Sequence, residues 1–224
     1  MKTKTFLAPC PNCGTIKRVT FSINNWTKTD YTFWSDSRID SNDWREHAYT
    51  HVCRTCGKFF VLPPLGTMQV DDTPDTPTEL LPFPMLKAAV AELAGDESAE
   101  PHARLEAFWA YNALYTDSND IPDPEQAFHQ ANMTWLRDFH APRATRFSHL
   151  VFELNRLLGN KEDCEKMIEV LTYEEYVKQR EARFKEKGIE SILEDKYVRE
   201  MYDSLIEELR FALTRPPRPY IKHK

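Results

Sequence analysis

Glycine is scarce in this chain, with 6 among 224 residues. That is too few for most nucleotide sites, and no glycine-rich phosphate loop is present. A G-x-S-x-G elbow and an H-E-x-x-H helix are also missing, so no common signature of acyl-transfer or metalloprotease chemistry stands in the sequence. No apolar run approaches the ~18 residues of a membrane-spanning helix. The opening stretch to Cys10 has no apolar segment long enough for a signal peptide. These absences lead to the expectation of a cytoplasmic protein without membrane contact.

Strong positive charge is missing too. Through residue 70 the chain holds nine Lys or Arg against five acids, a net of +4, and the remainder carries −10. An acidic body with a mildly basic head lacks the usual footprint of a nucleic-acid-binding domain. What the chain does have is apolar residues at 41%, enough for a sizeable core, and 15 prolines that punctuate its elements.

Cysteine is used sparingly and in pattern. Cys10-Pro11-Asn12-Cys13-Gly14 and Cys53-Arg54-Thr55-Cys56-Gly57 are two C-x-x-C-G knuckles. Two such turns supply the four thiolates of a tetrahedral structural zinc site, which makes Cys10, Cys13, Cys53 and Cys56 the expected ligands of one Zn²⁺. Two disulfides in a secreted chain are the alternative. His47 and His51 lie near enough in sequence to join a mixed site or hold a second metal.

Around the knuckles the pattern is β. Thr15 to Ile23 alternates apolar and polar side chains, and Lys58 to Leu62 is a short apolar strand stopped by Pro63-Pro64. Residues 1–62 are therefore expected to form a zinc ribbon. Between the knuckles lie Trp26, Tyr31, Phe33, Trp34, Trp44 and Tyr49, with Trp34 to Arg38 read as a turn between two strands. These rings are either the core the ribbon otherwise lacks or a platform for single-stranded bases beside basic residues. The second use would involve Lys17, Arg18, Trp26, Trp34, Arg38 and Arg45.

Residues 63–82 hold five prolines and several acids and read as a linker. From 83 to 214 the apolar period becomes helical. Helices are expected over about 84–94, 99–117, from Asp123, from Pro142 to Gly159, from Asn160 to Leu171, from Thr172 to Gly188, and over 190–213. Residues 215–224 form a basic, proline-rich tail. His102, His129, His140 and His149 fall singly on different helices, which offers little for an enzyme; catalysis would need one of them to meet a carboxylate in a deep pocket.

Phe152 to Cys164 resembles the middle of a tetratricopeptide repeat, where one helix ends in Leu-Gly and the next presents a small residue. That makes Cys164 a small core side chain. The two knuckles, the Trp34-Ser35-Asp36 insert, the Phe59-Phe60 pair and the helical tail together resemble a group of bacterial zinc-ribbon proteins of uncharacterised activity with a tetratricopeptide-like C-terminal domain. The knuckles are also similar to those of rubredoxin, which leaves iron as the alternative metal. The expected fold is α+β, a small four-cysteine β zinc ribbon followed by an antiparallel, all-α, tetratricopeptide-like domain. The expected function is non-catalytic: an adaptor that binds a protein partner, or alternatively a regulatory protein that binds nucleic acid through the ribbon.

Overall fold

A computed structural model describes residues 2–23, 31–33, 39–41, 49–64, 67–71, 73, 78, 81–117, 123–144, 148–186 and 195–216. A small antiparallel β module comes first and seven α-helices follow among the described residues. The chain divides into two compact units, Met1–Asn132 and Met133–Arg218.

In the first unit, β1 (Lys2–Pro9) and β2 (Ile16–Ile23) pair along their full length across the first knuckle, with Lys2 opposite Ile23 and Pro9 opposite Ile16. Phe6, Ala8 and Cys10 alternate inward on β1 and its extension, and Val19 and Phe21 on β2, the two-residue period of a half-buried sheet. Thr5 and Thr20 face each other, their hydroxyls 2.9 Å apart in the buried interior. β3 (Tyr31–Phe33) and β4 (Ile39–Ser41) also pair, flanking the Trp34–Arg38 stretch, which lies outside the described residues. The second knuckle joins β5 (Thr50–Val52) to β6 (Phe59–Val61) in the way the first joins β1 to β2.

The proline-rich stretch takes part in this sheet. Gln69–Asp71 is β7, paired with β1 to give the order β2-β1-β7. Further on, Thr78 exchanges bonds with the free side of β2: its amide donates to the Thr20 carbonyl and its hydroxyl accepts from the Thr20 amide, both at 2.9 Å.

Three helices complete this unit. α1 (Phe83–Glu92) starts behind Pro82 with Pro84 in its first turn, where proline costs no hydrogen bond. α2 (Glu100–Asp117) lays Ala103 and Ala107 against Leu86, Ala89 and Val90 of α1. From α3 (Asp123–His140), Phe128 meets Phe83 edge-on at 5.8 Å, and His129 stacks on Tyr111 with ring centres 3.7 Å apart.

His129 is buried, its Nδ1 has no hydrogen-bond partner among the described residues, and burial pushes its pKa down to about 3. It is therefore a neutral core side chain. The unfolded chain takes up a proton near pH 6.5 that the folded chain refuses. Stability is thus full above that pH and falls by ~1.4 kcal/mol per unit as the medium is acidified toward pH 3. Urea midpoints measured between pH 7 and 5 should show this slope in the native chain and a shallower one in His129→Leu.

In the second unit, Pro142 sits in a 3₁₀ turn, Ala141–Arg143, and does not open the fourth helix. α4 (His149–Leu157) begins after Ser148, whose hydroxyl accepts from the Val151 amide at 3.3 Å; a serine N-cap satisfies an amide that proline alone leaves open. Gly159, at φ 80°, ends the helix in the left-handed turn that L side chains avoid. α5 (Lys161–Val170), α6 (Tyr173–Glu186) and α7 (Asp195–Leu213) follow, and the Thr172 hydroxyl accepts from the Glu175 amide at the start of α6. Cys164 is fully buried, its Sγ directed at the Phe152 carbonyl 3.5 Å away, and burial pushes the thiol up to about 12. It is a core residue with no nucleophilic character at neutral pH.

Candidate metal centre

The two knuckles are built by the same hydrogen bonds. The Cys10 amide donates to the Thr15 carbonyl at 2.9 Å and the Gly14 amide to the Cys10 carbonyl at 2.8 Å. The Cys53 and Gly57 amides repeat this on Lys58 and Cys53 at 2.9 and 2.8 Å. Each turn closes only because its glycine adopts a left-handed backbone, φ 72° at Gly14 and 73° at Gly57. The first cysteine of each knuckle is buried, Cys10 at 2% and Cys53 at 4% exposure, and the second is exposed.

The four sulfurs converge, all within 4.8 Å of one another. Cys10 Sγ lies 3.8 Å from Cys56 Sγ, and Cys13 Sγ lies 3.6 Å from Cys53 Sγ. A disulfide needs about 2.05 Å, and all five cysteines are free thiols. Arms of ~2.3 Å to a central tetrahedral ion give an edge of ~3.8 Å. The spacing fits that cage, so the four cysteines lie close enough to hold a metal ion. Tetrahedral S₄ sets suit zinc and iron.

The local charges fit as well. The Cys56 and Thr55 amides hold the Cys53 thiol down to about 6. The Cys13 thiol is lowered chiefly by the Thr15 hydroxyl and amide. Cys56 receives the Lys58 amide, but desolvation within the cluster and bonds to the Cys13, Cys53 and Cys10 thiols outweigh it and push it up to about 12. The donors around Cys53 and Cys13 thus favour the thiolate, which is the form that ligates a metal.

Helices of the same unit grip the second knuckle. Glu106 on α2 is buried, and its Oε1 accepts from the amides of Tyr49 and Thr50 at 2.9 and 2.8 Å and from the Thr50 hydroxyl at 3.1 Å. Glu92 on α1 accepts from the Phe59 amide at 3.1 Å. On β6, Phe60 turns into the sheet core with Cys10 and Cys53, while Phe59 packs on the α1–α2 cluster. Neither carboxylate stood out in the sequence. The signal was there: Glu106 is flanked by the inward-facing Ala103 and Ala107.

The other candidate residues are placed as follows. His51 is buried against Phe60, with rings 6.0 Å apart, and stands outside the four-sulfur group. Lys17 is half-buried with its Nζ donating to the Val52 carbonyl at 3.3 Å, so it ties the two knuckle hairpins together. Arg18 is paired with Asp71 at 2.9 Å. Trp26, Trp34, Arg38, Arg45 and His47 lie outside the described residues.

Fold and site together define a small β module with a four-cysteine, metal-capable centre, followed by helices, none of which among the described residues is long and apolar enough to cross a membrane. Compared with models of protein families, with curated proteins and with solved structures, the chain matches none.

Proposed function

We propose that the protein is a zinc-stabilised, non-catalytic adaptor of the reducing cytoplasm that binds a protein partner. The N-terminal module is read as a zinc ribbon and the helical part as tetratricopeptide-like. The observation that carries the adaptor reading is on α7. Tyr197, Met201 and Phe211 stand 52%, 49% and 48% exposed, and at about 100° per residue the three fall on one face of the helix. Tyr197 and Met201 adjoin one turn apart on that face and Phe211 follows near the end of the helix; exposed large apolar side chains that share a face are a mark of an interaction surface. The metal keeps the N-terminal module folded and takes no part in chemistry.

The nucleic-acid reading draws less support, because Lys17 and Arg18 already spend their charge on Val52 and Asp71. The two readings separate by experiment. The tagged, zinc-loaded chain is incubated with cell extract, and captured material is crosslinked and mapped by mass spectrometry. The adaptor reading expects protein crosslinks on α7 or α5 that persist from low to physiological salt. Capture that nuclease abolishes, or that weakens steeply with salt as phosphate contacts must, would overturn it in favour of nucleic acid.

A further inference from the structure

We infer that the second unit takes a short basic and apolar segment of its partner into an acid-rimmed groove between α4, α5 and α6. This rests on the adaptor reading and names the partner's chemistry. The groove has a volume of about 710 Å³. Val151 from α4, Met167 from α5 and Leu171 from the following turn give it apolar walls, and Val170 stands at its lip 70% exposed. Asp163 on α5 and Glu175 on α6 are its charged lining residues, and among the described residues no Lys, Arg or His lines it.

Two features point to a peptide. Asn155 lines the groove and is 6% exposed, yet its Nδ2 donates to the Met167 thioether at 3.8 Å, a weak acceptor. A main-chain carbonyl is the better partner for a buried amide N–H. Glu175 Oε1 accepts from the Gln179 side-chain amide at 2.8 Å, but the cations on the two carboxylates are loosely held: Lys166 approaches Asp163 at 3.7 Å and Lys178 approaches Glu175 at 3.8 Å, and both lysines are largely in solvent. Such surface pairs contribute little and exchange readily for a better-placed cation. An aliphatic or aromatic anchor would fill the apolar walls, and a lysine or arginine beside it would reach the rim. The same carboxylates repel a phosphate backbone, which excludes nucleic acid from this face.

The test is selection of a random peptide phage library on the full-length, zinc-loaded chain, run in parallel on Val170→Lys and on the Asp163→Asn/Glu175→Gln double variant. All three positions are exposed or half-exposed, and unchanged urea midpoints would verify that the variants fold. The enriched sequences should combine an apolar anchor with at least one Lys or Arg. A synthetic peptide of that sequence should bind each variant about tenfold or more weakly than the native chain. Enrichment without basic residues, equal binding to the variants, or no enrichment at all would overturn the inference. Peptides that bind all variants but lose affinity on Met201→Glu would refute the groove and leave the adaptor reading standing. Failure of both the library and the extract capture would remove both.

Discussion

Stripping the metal with a chelator is expected to release the amides of α1 and α2 to hydrogen exchange, as well as those of the knuckles. Structural zinc contributes on the order of 10 kcal/mol to the small modules it organises, comparable with the roughly 5–15 kcal/mol that holds a typical domain. Without the cation nothing joins the four sulfurs of the cage, and neither knuckle hairpin has enough core to stand alone. The loss spreads because Phe59 packs on Leu86, Ala89 and Val90, and because Glu92 and Glu106 accept amides from the second hairpin. Once that hairpin leaves, Glu106 is a buried carboxylate without those donors, which is costly. Amides of α4 in the second unit serve as the internal reference. Faster exchange confined to residues 10–15 and 53–58 would show that the helices do not depend on the metal.

Arg156→Met is expected to destabilise the second unit by about 3–5 kcal/mol, the usual cost of removing one partner of a buried ion pair. Arg156 and Glu153 are each 3% exposed and meet in two parallel bonds of 2.7 Å, Nε to Oε2 and Nη2 to Oε1. The remaining Nη1 donates to the Pro216 carbonyl at 2.7 Å and so fastens the end of the α7 segment onto α4. With the guanidinium gone, a carboxylate is left in the core and a carbonyl loses its donor. The double variant Glu153→Met/Arg156→Met removes the stranded charge and should recover much of the loss. Urea denaturation followed by far-UV circular dichroism reads both. Equal or greater destabilisation in the double variant would mean that the pair contributes net stability of its own.

The four-cysteine cluster was legible in the sequence because ligand spacing is a local pattern: two knuckles, each with the glycine its turn requires. The helices were legible for the same reason, since a 3.6-residue period and proline or glycine punctuation are written within each segment. Sites that depend on distant partners were not. β7 pairs with β1 across more than sixty residues, and Thr78 reaches β2 from inside a stretch whose prolines and acids read as linker. Glu106 and Glu153 look like ordinary helix-surface acids until the fold sets Thr50 against one and Arg156 against the other. Pro142 misled for a physical reason: proline favours the first turn of a helix, but Ser148 supplies the cap that decides where α4 begins.

Whether Cys10, Cys13, Cys53 and Cys56 hold one structural zinc is tested most directly by elemental analysis of the full chain purified without added metal, with cobalt substitution to report the ligand field. One zinc per chain, and a cobalt form with the thiolate charge-transfer and tetrahedral bands of an S₄ site, is the expected result. Iron in place of zinc would make the centre a redox one. No bound metal with four reactive thiols would contradict the account at its foundation.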